Sequence, residues 1–490
     1  MKITVTRKDS TFLPDPNRVI ARFYYTSHDV SKNIIRNVLA MSDSEVNIAL
    51  SQVLRGYAKR HRNISIIFET HFNKLSVLFD ELEIKPSKIA QSRKALIGSY
   101  FTMEYSIESA AFFNPSIVED IDQSELMPDE KRLIFSFRAT GEGHISSIVF
   151  RSAVIDKNSD LIIEPVGKML AKAERIKRHV YNKKSFIKKL NEMSDFENKI
   201  SPVFVLEKLG NSFTYDELKK TVEKTRKKQR LTTNQKLIIN QMMWLAKSHN
   251  DLKFSLDSAI SERVIFPTSE TEKNGLEDAR FVKFTDDNGE IIYFATYTAY
   301  DGITILPKLI ETKDFYHFKS LAIYGEIARN KGMALFPRKI NGKYVMLCRI
   351  DGVNNYIAYS DNINIWHEAK LIQKPKFPWE FIQIGNCGSP IETEGGWLVI
   401  THGVGPMREY VLGASLYELD NPEKEIGRLK TPLLEPNAEE REGYVPNVVY
   451  SCGSIIHNGN LIIPYGMSDC ASTYASINLN ELLNELTNSK

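Results

Sequence analysis

The stretch Asn274-Gly275-Leu276-Glu277-Asp278-Ala279-Arg280 sets two adjacent carboxylates and a guanidinium directly before an apolar run that begins at Phe281. A carboxyl that is to protonate a leaving oxygen must be kept out of bulk water, with its proton retained near neutrality. Neighbouring side chains of an extended chain point to opposite faces. One of Glu277 and Asp278 can therefore pair with Arg280 while the other faces a site; a solvated turn with a local ion pair is the competing reading. Further along, Arg329-Asn330-Lys331 precedes MALFPRKINGKYVML. Two cations beside an amide make a cradle for phosphate or carboxylate, arginine offering a planar fork; a plain basic loop is the alternative. His402 and Arg408 share one turn, HGVGPMR, where a structural histidine is equally compatible. Asp286-Asp287-Asn288-Gly289-Glu290 lacks the length and terminal glutamate of a calcium loop and reads as a hairpin turn. There is no GxGxxG, P-loop, HExxH or G-x-S-x-G motif, so nucleotide, zinc-protease and serine-hydrolase chemistry lack support.

The elements that must position these groups are mostly strands. From about residue 100, apolar strand pairs recur around central turns: KRLIFSFRATGEGHISSIVFRSAV, EIIYFATYTAYDGITILPKLI, KYVMLCRIDGVNNYIAYS, GWLVITHGVG with EYVLGASLYEL, and NLIIPYGMSDCASTYASINL. The first strand of each ends on a polar group, namely Arg138, Asp301, Asp351, His402 and Asp469. After the first, these follow one another at intervals of 50, 51 and 67 residues. All-strand repeats of about 50 residues indicate propeller blades. Five of them predict a five-bladed β-propeller, with the polar strand ends converging on one central funnel. The expected architecture is mainly β, with an α-helical N-terminal region over 1–100 and a catalytic domain over 101–490. A basic α-helical insertion at 166–250 interrupts that domain.

In the N-terminal region, Ser42-Asp43-Ser44-Glu45 is a helix-start signal, and helices are also expected over 72–82 and 87–96. In the insertion, Lys168, Lys172, Arg175, Lys177, Arg178, Lys183, Lys184, Lys188 and Lys189 alternate with Leu170, Ile176, Val180, Phe186, Ile187 and Leu190 at helical spacing. Lys219 to Arg230 is similarly basic. Solvated faces of amphipathic helices explain this, and no aromatic interleaving accompanies the lysines.

The composition adds exclusions. The 490 residues exceed what one core needs, and 64 basic against 61 acidic residues leave a net charge of +3, which does not suit a globally basic nucleic-acid binder. Cys348, Cys387, Cys452 and Cys470 form no C-x-x-C pair and are read as small buried side chains. No signal-type h-region and no apolar run of about 18 residues occurs, so a soluble cytoplasmic protein is expected.

The ordered segments GLEDAR, ATYTAYDG, ARNKGMALFPRKINGKYVML, GSPIETEGGWLVITHGVG, GYVPNVVYSCG and IPYGMSDC closely resemble glycoside hydrolase family 130, as does FFNPS followed by LIFSFRA. The resemblance covers roughly residues 100–490. It implies a five-bladed propeller acting on β-mannosides, mostly by phosphorolysis, with no cofactor or metal and inorganic phosphate as co-substrate. Asp278 then falls at the general acid, which protonates the bridging oxygen through a sugar hydroxyl. Asn114, Ser116 and Arg138 fall at residues that hold the mannose ring, and Asp301 and Asp469 at sugar-contacting carboxylates. Arg329 and Asn330 fall at phosphate-binding positions, with Lys331 beside them and His402 and Arg408 as further contributors. The sequence departs from the family at Pro390-Ile391-Glu392-Thr393, where phosphorylases carry a lysine that holds phosphate. A carboxylate repels a dianion and can instead activate water, which makes Glu392, with Glu440 or Glu442, a candidate base for inverting hydrolysis. The cationic set still favours phosphorolysis of a β-mannoside oligosaccharide, with β-mannosidase activity as the alternative. A non-catalytic carbohydrate-binding propeller is a second alternative. The helical additions are candidates for building a homo-oligomer, and neither nucleic acid nor membrane is an expected partner.

Overall fold

The computed structural model describes residues 3–176, 180–193, 203–228, 230–248, 250–267, 269–302 and 305–488. Alternation of apolar and polar residues folds the five expected strand pairs into antiparallel hairpins. They are Lys131–Thr140 with Ser146–Ile155, Ile291–Tyr300 with Ile305–Thr312, Tyr344–Cys348 with Asn355–Ser360, Gly396–Val404 with Tyr410–Tyr417, and Asn460–Met467 with Ala471–Asn478. Each hairpin gains a strand before it: Ala111–Glu119, Gly275–Thr285, Ala334–Leu335, Gln383–Asn386 and Val449–Tyr450 respectively. Each also gains one on its far side, so that five four-stranded antiparallel meanders result. The hairpin strands are thus second and third in their meanders, and not first as the sequence suggested. The last meander takes its fourth strand from the other end of the chain, Val5–Arg7 pairing with Ala471–Asn478. A single parallel contact, Gly275 with Ser146, joins the first two meanders into one sheet. No described sheet closes on itself.

Apolar side chains pack between consecutive meanders. Phe150 of the first meets Phe281 and Phe318 of the second, and Phe284 and Phe294 meet Leu335 and Met346 of the third. Phe336 and Val345 meet Trp397 and Val399 of the fourth, and Leu398 and Leu412 meet Leu461 and Tyr465 of the fifth. Ile462 and Tyr474 of the fifth return to Phe112, Phe135 and Phe137 of the first. Each fully buried aromatic or aliphatic side chain contributes roughly 1.5–3 kcal/mol, so these contacts fix the cyclic order of the meanders.

The N-terminal helices are His28–Ala40, Asp43–Tyr57, Ile64–Asn73, Ser76–Glu81 and Gln91–Tyr100. Ser42 and Glu45 form the capping box that their spacing suggested, each accepting the other's backbone N–H. The helix expected over 72–82 is broken at Lys74 and Leu75, and the one expected over 87–96 starts later, at Gln91. Ile35, Val38, Phe72, Phe79, Leu96 and Ile97 form the core of this region. Gly98 lets two of its helices touch, since a Cβ there would lie 1.9 Å from the Phe68 carbonyl oxygen. Buried Glu108 ties the region to the first meander, accepting from Arg18 at 2.7 Å and from Arg151 at 2.9 Å.

The insertion has a core of its own, built from Phe186, Leu190, Leu206, Leu218, Val222, Ile239 and Met242 among others. Its long helices are Lys183–Met193, Tyr215–Lys228 and Thr233–Ser248. The helical spacing read from Leu170 to Val180 was misleading: Ala171–Lys172, Glu174–Ile176 and Val180–Asn182 are short strands. Lys177, Arg178 and the side chains of Arg175, Lys188 and Lys189 lie outside the described residues. Cys348, Cys387 and Cys452 are buried and free, and Cys470 is exposed and free. Among the described residues, no helix is long and apolar enough to cross a membrane.

Candidate active site

All five meanders contribute to one cavity of about 290 Å³. Asn114 and Arg138 come from the first, Glu277 and Asp278 from the second, and Lys331 and Arg349 flank strands of the third. Gln383, His402, Arg408 and Tyr410 come from the fourth, and Val448, Tyr450 and Asp469 from the fifth. Residues in or beside the opening strand of every meander, and residues at or near the end of the second strand in all but the second meander, therefore face a shared space.

The backbone is strained where it presents the polar groups. Asp278 has a φ of 54° within a bulge that breaks the register between Glu277 and Arg280. Asn114 (φ 52°) sits in a similar break between Phe113 and Ser116, and Asp469 (φ 54°) and Arg408 (φ 57°) occupy turns. Non-glycine residues in the left-handed region cost about 1 kcal/mol or more each and cluster at functional sites. The bulge also alters the expected pairing. Glu277 does not take Arg280; it accepts from Arg138 at 2.7 Å and from Lys331 through its other oxygen. Arg280 turns beneath the floor to Asn386 and, at 2.7 Å, to the Tyr450 hydroxyl.

Asp278 accepts from the Asn114 amide at 2.7 Å and lies 3.6 Å from Arg138. Burial pushes its carboxyl up, but Arg138, Lys331, the Asn114 amide and Arg280 outweigh it and hold the group below the ordinary carboxylate range. Asp469 is the opposite case. Burial pushes it to about 6, reinforced by Asp278 and Glu277 and only partly offset by Arg138 and Arg408. One cavity thus holds two carboxyl groups with separated protonation, the arrangement from which acid and base roles are made.

The opposite wall is cationic. Burial, followed by Arg349 and Arg280, holds His402 well below the ordinary histidine range, so its imidazole is neutral. Its Nδ1 lies 3.2 Å from the Asn386 carbonyl oxygen and its Nε2 lies 3.0 Å from Arg349. The tautomer that satisfies both has the proton on Nδ1, with Nε2 accepting from Arg349. Among the described residues Arg349 forms no salt bridge, and its Nε is buried without a partner. A guanidinium without a carboxylate partner suits an anionic ligand. No group of described residues could hold a metal ion.

Of the residues singled out in the sequence, Asn114, Arg138, Asp278, Lys331, His402, Arg408 and Asp469 converge on the cavity. Asn330 lines a small void beside Asp278 and Lys331. The others do not line the main cavity. Ser116 is fully buried beneath it, its hydroxyl accepting from the Phe281 N–H at 3.0 Å. Arg329 is exposed, and Asp301 ends the strand Ile291–Tyr300 without reaching the lining. Asp351 is spent on its own turn, accepting from the N–H groups of Val353 and Asn354 and from the Tyr356 hydroxyl.

The candidate bases fare no better. Glu392 is gripped bidentately by Arg338 at 2.6 and 2.7 Å and is 42% exposed. It pairs with Trp397, five residues from His402 on the same strand, which is about 16 Å away at ~3.3 Å per residue. Glu440 is buried against Arg7 and the Tyr465 hydroxyl, and Glu442 is an exposed loop residue. Sequence reasoning missed Arg349, Gln383, Tyr410 and Tyr450. Arg349 stands directly behind the apolar strand Tyr344–Cys348, the same signal that selected Arg138 and His402.

A cavity that sets carboxylates against cations, among them an arginine with no carboxylate partner among the described residues, is the kind of site carbohydrate-active enzymes use. The model of glycoside hydrolase family 130, described as β-1,4-mannooligosaccharide phosphorylase, matches residues 230–488. The 1,2-β-oligomannan phosphorylase of Thermoanaerobacter sp. (strain X514) is 36% identical over 230 residues, 46% of this chain and 75% of that protein. The β-1,2-mannobiose phosphorylase of Listeria innocua is 32% identical over 252 residues, 49% of this chain and 68% of that protein. The solved structure of the β-1,2-mannobiose phosphorylase from Listeria innocua, in complex with β-1,2-mannobiose, aligns over 77% of this chain and 92% of its own, at 23% identity and a TM-score of 0.46. The chain belongs to glycoside hydrolase family 130, and it is an enzyme of that family's glycoside phosphorylase or hydrolase type.

Proposed function

We infer that the protein is a β-mannoside phosphorylase, with its five meanders as the blades of a five-bladed propeller and the cavity as the funnel. The observation that carries the reading is Arg349: a guanidinium at the cavity wall, held by a neutral histidine and lacking a carboxylate partner among the described residues. Phosphate supplies the missing charge. Lys331 and Arg408 line the same cavity, so the cradle does not need the lysine that Glu392 replaces.

In this reading the mannosyl residue lies between Asn114, Arg138 and Asp469. A phosphate oxygen attacks the anomeric carbon from the Arg349 side as the bond to the bridging oxygen breaks. That oxygen receives its proton from Asp278, directly or through a sugar hydroxyl. The products are mannose 1-phosphate of inverted configuration and a saccharide one unit shorter. Arg138, Lys331 and Arg280 hold the Asp278 carboxyl below the ordinary range in the free protein, and the negative charge of a phosphate dianion bound in the cavity raises its affinity for the proton it donates. Hydrolysis would need a water-activating carboxylate, and the positions of Glu392, Glu440 and Glu442 argue against each of them in that role.

The test is product analysis on β-1,2- and β-1,4-mannobiose with and without inorganic phosphate. Mannose 1-phosphate appearing only with phosphate is expected. Free mannose released at an equal rate in both conditions overturns the reading.

A further inference from the structure

Glu277 is absent from every step above, yet it is buried, with 9% of its side chain exposed, and it adjoins Asp278. One carboxylate oxygen takes Arg138 and the other takes Lys331, two cations that arrive from different meanders. The same two residues are the strongest cationic influences on Asp278. We propose that Glu277 is a positioning residue that restrains Arg138 and Lys331 and so balances phosphate affinity against the acid strength of Asp278.

Only the identity of the anion rests on the phosphorylase reading. A cation shared with Glu277 has part of its charge already answered. Lys331, 35% exposed and lining the cavity, would otherwise be free to close on Asp278 or on an incoming phosphate. Both alternatives harm turnover. Closing on Asp278 lowers its readiness to carry a proton, and closing on phosphate stabilises the bound ground state without helping the transition state. The remaining charged and titratable groups around Asp278 do not duplicate the restraint. Arg280 is committed to Asn386 and Tyr450, whereas Asp469, Tyr450 and Cys452 offer no carboxylate to Lys331 or Arg138 at ion-pair distance.

The experiment compares wild type with Glu277→Gln, Glu277→Asp and the double variant Glu277→Gln/Lys331→Met. Binding of inorganic phosphate is measured by calorimetry and the pH–rate profile is recorded for each. Glu277→Gln is expected to bind phosphate about tenfold more tightly, to lose about 100-fold in kcat at pH 7, and to move its profile toward lower pH. Lys331→Met in the double variant should remove the gain in affinity, and Glu277→Asp should keep a near-normal profile. Phosphate affinity in Glu277→Gln that is unchanged or weaker, or a fall in kcat with an unmoved profile, overturns the proposal, as does Glu277→Asp behaving like Glu277→Gln. The profile is read in whichever reaction the wild type performs. A wild type that turns over without phosphate would defeat the phosphorylase reading, and the profile shift would still decide the role of Glu277.

Discussion

The guanidinium of Arg349 donates to Nε2 of His402 at 3.0 Å, which turns a buried imidazole into the hinge of a cation rather than a ligand-binding group in its own right. His402 cannot donate to phosphate while that nitrogen accepts, so the two residues should fail differently. Arg349→Ala loses charge-assisted bonds to the anion, and the phosphate KM is expected to rise about 100-fold. His402→Phe keeps the charge but releases its orientation, and a rise of about tenfold is expected. Equal effects of the two would show that His402 contacts phosphate itself.

Asp278→Asn is expected to lose about 10³-fold or more in kcat while remaining folded. Asparagine tolerates the left-handed backbone found here, and its carbonyl can still accept from Asn114. Turnover within tenfold of wild type, at an unchanged melting temperature, would remove Asp278 as the proton donor.

Asp469 has a carboxyl raised to about 6 in the folded protein from an ordinary value of 3.8. A group raised on folding favours the folded state when protonated. Its contribution is complete below the ordinary value and is lost as pH rises through the folded one. Asp469→Asn should therefore melt at the same temperature as wild type near pH 4 and at a higher temperature above pH 6. Thermal melts across pH 4–8 check this, and identical curves would refute it.

Glu108 is the carboxylate shared by Arg18 and Arg151 in a buried cluster between the N-terminal region and the first meander. Glu108→Gln leaves two buried guanidinium groups without a counter-charge, which costs about 3–5 kcal/mol. A matching fall in the urea midpoint is expected. A shift worth less than about 1 kcal/mol would mean that the two arginines reach solvent when the cluster is opened.

Glu392→Gln removes only an exposed pair with Arg338, worth about 0–1 kcal/mol. Phosphate KM and kcat should stay within about twofold of wild type. A large change in either would return Glu392 to the site.

The hairpins were legible because period-two patterning and turn residues act locally. The same rules showed a strand ahead of the second hairpin, at Phe281, but not ahead of every hairpin, because segments such as Ala334–Leu335 and Val449–Tyr450 have only two residues in strand conformation and carry no alternation. Asp278 was legible by motif, but its partners were not. Proximity to Arg280 in sequence suggested an ion pair that the bulge forbids, and the actual partner Arg138 is 139 residues from Glu277. Asp351 drew notice for its type and spacing, whereas Arg349, two residues earlier, is the one that faces the cavity. Which of two polar neighbours turns inward depends on φ and ψ at a turn, and no composition rule reports them.

The insertion leaves and rejoins the sheet on adjacent antiparallel strands, with Ile176 opposite Asp251 and Glu174 opposite Lys253. Its two attachment points are thus neighbours, separated by one interstrand spacing of about 5 Å. A segment mounted in this way behaves as a plug-in module: its exchange or excision alters the chain between two points that are already together. Change could therefore accumulate in the basic helices while the second meander, which carries Asp278, keeps its register.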